Sequence, residues 1–213
     1  MYTYKNIHIE WLGHDWFLIV YKNKKICIDP FKLKQTFQAD YIFFTHNHHD
    51  HLSIDDIAKI IQPTTMIVAS SLCEDNLKDI YNKKVFLKQN IVLMLHDFSV
   101  KTIPAYTIDK FRSPWVPYHP KESWYVWFLF NFDGTILYHA WDTDLIPEME
   151  WLCPDIALLP ISWIYTMTAQ EAVQSITSIK PQLAIPMHYN TIIGTWEDAE
   201  YFQKHAQCKV VVL

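Results

Sequence analysis

The nine residues Thr45-His46-Asn47-His48-His49-Asp50-His51-Leu52-Ser53 crowd imidazoles around a single carboxylate. Their spacing is H-x-H-x-D-H. Side chains two apart on an extended segment point to the same side, so His46 and His48 can grip one cation together. Asp50 and His51 fall where the chain turns, and can face a second cation close by. Imidazole with carboxylate suits zinc, and also manganese or iron, far better than calcium or magnesium. Packing so many ring nitrogens beside a carboxylate is costly unless something binds them. The pattern therefore predicts one or two transition-metal ions per chain, Zn2+ or else Mn2+ or Fe2+.

The elements on either side explain how such a loop would be held. Asp40-Tyr41-Ile42-Phe43-Phe44 is rich in aromatic and β-branched side chains and reads as a buried strand. After the loop, Ser53 is a good N-cap, Asp55 and Asp56 suit a first turn, and Ile54, Ile57, Ile60 and Ile61 recur at helical spacing. The histidines thus sit between the C-terminal end of a strand and a helix, where α/β proteins usually place their chemistry. Two further candidates follow apolar strands in the same way: Asp142 in YHAWDTDLIPEM and His188 in IPMHYN. A carboxylate can bridge two cations and an imidazole can complete a shell, so both types fit a binuclear site.

Elsewhere, strands are expected within residues 7–29, over 66–69, 84–87, 91–95 and 99–103, and in a hairpin of 124–132 with 135–139 around Asp133-Gly134. Between Pro104 and Glu122 prolines among aromatic residues predict a long loop, of a length usually kept for function. Its aromatic residues, with those that follow (Tyr106, Phe111, Trp115, Tyr118, Trp124 and Trp127), would either wall a pocket for an apolar or ring-bearing ligand or fill the core. Ser70 or Ser71 should cap a helix running to about Ile80. In the last third, strands at 155–160, 183–187 and 209–213 alternate with helices at 168–180 and 195–206, the first opened by a capping box of Thr168 and Glu171. No linker or repeat is visible, so residues 1–213 read as one layered α/β domain.

Composition removes several function classes. Lys+Arg 18 against Asp+Glu 23 gives a net charge of -5, the wrong sign for a phosphate-backbone binder. Three glycines in the whole chain leave no room for Gly-rich phosphate loops, and there is no G-x-S-x-G nucleophile elbow. No signal peptide is evident, and the strongly apolar run Trp124–Phe130 is far short of the ~20 residues that span a bilayer. Cys27, Cys73, Cys153 and Cys208 lie far apart and read as reduced thiols of a cytoplasmic protein.

THNHHDHLS resembles the signature of the metallo-β-lactamase-fold hydrolases. EWLGHDWFLI, ICIDPF, IPAYT with the later YHPK, YHAWDTDLIPEM, LLPI with YTM, and IPMHYN carry the resemblance along essentially the whole chain. More narrowly the chain looks like the branch holding L-ascorbate-6-phosphate lactonase-like proteins and the related N-acyl-phosphatidylethanolamine phospholipase D. The resemblance implies an α/β fold, a four-layer αβ/βα sandwich of the metallo-β-lactamase type. It implies that His46 and His48 bind a first metal, that Asp50, His51 and His188 bind a second, and that Asp142 bridges them. In the family a further histidine serves the first metal; here the region reads AYTIDKFRSPWVPYHPK, with Thr107 where a ligand is expected and His96 and His119 as the histidines at hand. The residue before the bridging aspartate is usually glycine and is Trp141 here. His14, after Gly13, matches a Gly-His pair of the family and would stand behind the ligands.

The expected activity is metal-dependent hydrolysis of an ester, lactone, amide or phosphodiester bond in a small-molecule substrate. Asp50 is the residue expected to orient the attacking water and take its proton. The alternative is a metal-binding protein with a degenerate site and no hydrolase activity. Nucleic-acid partners and membrane spans are not expected; a homo-oligomer is left open.

Overall fold

The computed structural model describes all residues 1–213, which divide by internal contacts into two compact units, Met1–Lys88 and Gln89–Leu213. In the first unit seven strands pair in sequence order: β1 (Tyr2–Tyr4), β2 (Ile7–Trp11), β3 (Phe17–Tyr21), β4 (Lys24–Ile28), β5 (Tyr41–Phe44), β6 (Met66–Ser70) and β7 (Lys84–Leu87). β1 to β4 are antiparallel, and β4 to β7 are parallel. The change of direction at β4 puts the C-terminal ends of β4, β5 and β6 at one edge, from which the histidine loop departs. Ile26, Ile28, Ile42, Phe43, Phe44, Ile67 and Val68 are all fully buried, as central parallel strands require.

Helix α1 (Ile54–Ile60) begins as its sequence dictates, the Ser53 hydroxyl accepting the Asp56 N–H at 3.3 Å. Its apolar stripe, Ile57 and Ile60, packs with Cys27, Ile42, Phe44, Ile67 and Ala69 in one buried cluster. The acidic third position of that turn does more than close the cap. The Asp56 carboxylate accepts the N–H groups of Lys32 (2.7 Å) and Leu33 (3.0 Å) and the Lys59 ammonium (2.7 Å), tying the chain after Asp29-Pro30 to the helix that follows the histidines.

The second unit holds β8 (Val92–Met94), β9 (Ser99–Pro104), a small hairpin β10 (Phe111–Ser113) with β11 (Val116–Pro117), then β12 (Val126–Phe132), β13 (Thr135–His139), β14 (Ile156–Pro160), α2 (Ala169–Ile179), β15 (Leu183–Met187), α3 (Trp196–His205) and β16 (Lys209–Val210). Its main sheet has seven strands in the order β16-β15-β14-β13-β12-β9-β8. β8, β9, β12 and β13 are antiparallel and β13 to β16 parallel, so both units pass from antiparallel to parallel at a fourth strand. Thr168 with Glu171, and Thr195 with Asp198, close capping boxes at the starts of α2 and α3.

Three expectations are corrected. The helix expected from Ser70 or Ser71 to Ile80 is only a single 3-10 turn, Ser71–Cys73, followed by further turns. The Leu77 N–H is shared between the carbonyls of Cys73 (3.1 Å) and Glu74 (3.2 Å), and the Lys84 ammonium takes those of Leu77 and Ile80, which keeps the winding tight. The last strand stops at Val210, with Val211 adding one more bond to Ala184 at 3.0 Å. The proline-rich stretch contains the β10–β11 hairpin, turned by Trp115 in a left-handed conformation (φ 64°).

Candidate functional site

In the first unit the ligand-type side chains gather around Asp29, which ends β4 with a left-handed φ of 45° and gives its N–H to Phe43. Its carboxylate accepts the Thr45 N–H at 2.8 Å and the Thr45 hydroxyl. That hydroxyl has one proton, already given to Asp29. The Nδ1 of His46, 3.1 Å from the same oxygen, must therefore donate to it, and the lone pair of His46 lies on Nε2. Nε2 in turn faces Nδ1 of His48 at 2.9 Å, so two ring nitrogens converge. His51 is settled in the same way. Its Nδ1 contacts the Asp15 carboxylate and lies 3.1 Å from Asp29, so Nδ1 carries the proton and Nε2 presents the lone pair.

Asp50 is the least buried of these acids at 19% side-chain exposure, and its Oδ2 lies 3.4 Å from Nε2 of His14. His14 and Asp15 are buried, and together with His51 they offer ligand-type atoms within 4.8 Å of one another. Burial pushes Asp15 up to about 6, with His51 and His14 pulling it down and Asp29 pushing further up. His49, between the ligand-type residues, is exposed.

The second unit builds its own cluster on Asp142, which follows β13. One carboxylate oxygen lies 2.8 Å from Nε2 of His188 and the other 3.6 Å from Nε2 of His119. His119 arrives from the proline-rich stretch by pairing with Thr107, twelve residues earlier. Thr107 gives its N–H to the His119 carbonyl (2.9 Å), and the Thr107 hydroxyl accepts the His119 N–H (3.0 Å). Thr107, at the position where the resemblance calls for a ligand, is thus an anchor, and the imidazole comes from His119. His96 is exposed beside Asp97 and takes no part.

Several contacts fix this stretch. Asp144 accepts the N–H groups of Ile108 (2.6 Å) and Asp109 (3.1 Å), and the Lys110 ammonium lies between Asp144 (3.2 Å) and Glu171 (2.9 Å). Burial alone would lower Lys110, but hydrogen bonds to Asp109 and Glu171 and the charge of Asp144 hold it above the usual lysine range. Trp141 is fully buried, its indole N–H donating to the Val126 carbonyl and its ring meeting those of His119 (5.1 Å) and Tyr125 (5.4 Å) edge-on. His188 takes a left-handed φ of 60°, and Gly194 closes over it. A Cβ on Gly194, itself at φ 70°, would stand 2.8 Å from the His188 carbonyl oxygen.

Of the six residues singled out from the sequence, His46, His48, Asp50 and His51 share the loop after β5, and Asp142 meets His188. Sequence reasoning missed Asp15, Asp29 and the placement of His119. Asp29-Pro30 reads only as a strand end, and a twelve-residue pairing leaves no local signal. Of the aromatic segment, Tyr106 and Trp127 are buried while Phe111, Trp115 and Trp124 are exposed.

The β-lactamase superfamily domain model matches residues 8–188. A UPF0173 metal-dependent hydrolase from Caldivirga maquilingensis is 31% identical over 212 residues, covering 92% of this chain and 88% of its own. Another from Carboxydothermus hydrogenoformans is 34% identical over 201 residues, covering 86% and 84%. Among solved structures, a candidate metal-dependent hydrolase from Parabacteroides distasonis superposes with a TM-score of 0.81 at 26% identity, covering 97% of this chain and 92% of that one. The fold is the metallo-β-lactamase fold expected from the sequence; the narrower likeness to the ascorbate-6-phosphate lactonase branch finds no counterpart among these relatives. With a family model spanning both units, and clusters of ligand-type residues in each, the chain belongs to the β-lactamase superfamily, among the UPF0173 metal-dependent hydrolases.

Proposed function

We propose that the chain is a binuclear metal-dependent hydrolase acting as one domain over residues 1–213, with zinc as the first candidate ion and manganese or iron as alternatives. The observation that carries this reading is Asp142, whose two oxygens each face a different imidazole Nε2, the disposition a bridging carboxylate needs. The hydrogen-bond pattern of the first unit supports it: His46 and His51 both have Nδ1 against oxygen, which favours Nε2 as the basic nitrogen. Imidazole and carboxylate donors of this kind fit zinc.

In this reading His46, His48, Asp50 and His51 of the first unit, and His119, Asp142 and His188 of the second, would hold the ions. Metal ions held there would supply an activated water, its pKa lowered from 15.7 to near 7, and would polarise a carbonyl or phosphoryl oxygen. Asp50, the most accessible acid of its cluster, orients the attacking water and takes its proton on a carboxylate oxygen. His14 faces that same carboxylate from behind. The bond cleaved is an ester, lactone, amide or phosphodiester in a small molecule. A cytoplasmic location belongs to the same reading, supported by four cysteines that all stand as free thiols; no helix is long and apolar enough to cross a membrane.

Elemental analysis of protein never exposed to chelator, followed by a screen against lactones, phosphodiesters and acyl amides, tests the proposal. One to two transition-metal ions per chain with metal-dependent turnover is the expected result. Protein without metal would refute it.

A further inference from the structure

His51 meets two buried carboxylates on the same ring nitrogen, although one N–H serves only one acceptor well. The two acids are not equivalent. Asp29 already accepts the backbone N–H and the hydroxyl of Thr45, which fix the start of the histidine loop. Asp15 makes the shorter contact to His51, and its other oxygen lies 3.9 Å from Nε2 of His14. The same His14 nitrogen lies 3.4 Å from Asp50. Acid and imidazole thus alternate from Asp29 through His51, Asp15 and His14 to Asp50, all but the last in the buried interior.

We infer that Asp15 is a positioning residue, which holds the Nδ1–H of His51 so that His51 presents Nε2 to an ion. Asp15 does not share an ion with His51 in this arrangement. It lies on the Nδ1 side of the ring, and the basic nitrogen is on the other. A carboxylate there keeps the ring from rotating, fixes its tautomer and raises the basicity of Nε2. Its other oxygen, 3.9 Å from the His14 nitrogen, adds negative charge beside the residue that faces Asp50. The inference rests on the metal-dependent reading above.

The test uses full-length protein stripped and titrated with zinc against a chromophoric chelator, alongside thermal melts with and without zinc. Asp15→Ala removes the acceptor, Asp15→Leu removes it while refilling the volume, and Asp15→Asn keeps one acceptor oxygen toward His51. Asp15→Ala and Asp15→Leu should bind the weaker of two zinc ions about 10- to 100-fold less tightly, the range for loss of such an orienting partner. Asp15→Asn should recover most of that affinity. The rise in melting temperature on adding zinc should shrink in the first two variants and return in the third. If Asp15→Ala does not fold, Asp15→Leu carries the same comparison.

Wild type and both acceptor-free variants binding zinc equally would overturn the inference and leave the metal reading intact. So would a loss of zinc-free stability with an unchanged zinc-induced rise, which marks a merely structural role. Wild type that takes up no zinc, manganese or iron would overturn both.

Discussion

Replacing Trp141 separates two things the indole does. Its N–H donates to the Val126 carbonyl, and its ring edge packs on His119 and Tyr125 with no exposure to solvent. Trp141→Phe abandons the hydrogen bond and some volume while keeping an aromatic edge against His119, so stability should fall by about 2 kcal/mol. Trp141→Ala removes the whole ring. Losing a buried tryptophan costs ~3–5 kcal/mol, and stranding the carbonyl adds ~1–3 kcal/mol, a large part of the ~5–15 kcal/mol that holds a typical domain. The ring contact with His119 is itself worth ~0.5–1.5 kcal/mol. If that contact orients His119, its loss should weaken the ion held there by about two- to tenfold, since 1.4 kcal/mol is a factor of ten. Urea unfolding of metal-free protein reads the first quantity and zinc competition the second. Trp141→Phe should lose stability with near-normal zinc affinity, and Trp141→Ala should lose both. An alanine variant with wild-type stability and zinc affinity would refute the reasoning and make the tryptophan incidental to the cluster.

Asp56→Ala should cost about 3 kcal/mol, because it strands two backbone N–H groups and the Lys59 ammonium; a urea midpoint within error of wild type would contradict this. Burial pushes Asp56 up, but the hydrogen bonds from Lys59, Ser53 and the Leu33 and Lys32 backbone hold it below the usual carboxylate value. Its contribution is therefore complete above about pH 4 and disappears as pH falls through the lower folded-state value, so Asp56→Asn should show a flatter acid limb in stability against pH than wild type. Gly194→Ala should lower zinc content more than it alters overall secondary structure by circular dichroism, because the new Cβ meets the His188 backbone at a left-handed position. His48→Ala and His188→Ala should lose metal and stay folded, read by elemental analysis and gel filtration. Insolubility of both would show that folding depends on the ions.

Features that could be read along the chain share one property: their cause is local. Ser53 before Asp56, and Thr168 three residues before Glu171, announce helix starts because cap and partner lie within one turn. The H-x-H-x-D-H spacing is local in the same sense. The 71–80 segment has helical composition, yet Lys84 captures its carbonyls from the next strand, a contact its own residues do not encode. His119 belongs with Asp142 only because Thr107 pairs with it across the β10–β11 hairpin, and that hairpin turns on Trp115, a residue type that seldom adopts a left-handed conformation. Asp15 was invisible for a related reason. Its partner His51 lies 36 residues on, and nothing in Gly13-His14-Asp15 alone points to it.

The shift from antiparallel to parallel pairing at the fourth strand of each sheet has a kinetic corollary. β1 to β4 are joined by short turns, and β12 to β13 by Asp133-Gly134, so these pairs close small loops at little entropic cost. The parallel strands need crossovers: β5 reaches β6 through the histidine loop and α1, and β14 reaches β15 through α2. Those pairings are the slow ones, and the ligand-type residues hang from their ends. On this topology the hairpins should form first and the edge carrying the ligand-type residues late, so that an ion should meet a chain that is already folded. Refolding from urea should then proceed at the same rate in chelator as in excess zinc, with zinc slowing only unfolding. A refolding rate that climbs with zinc concentration would place the ion in the folding nucleus instead.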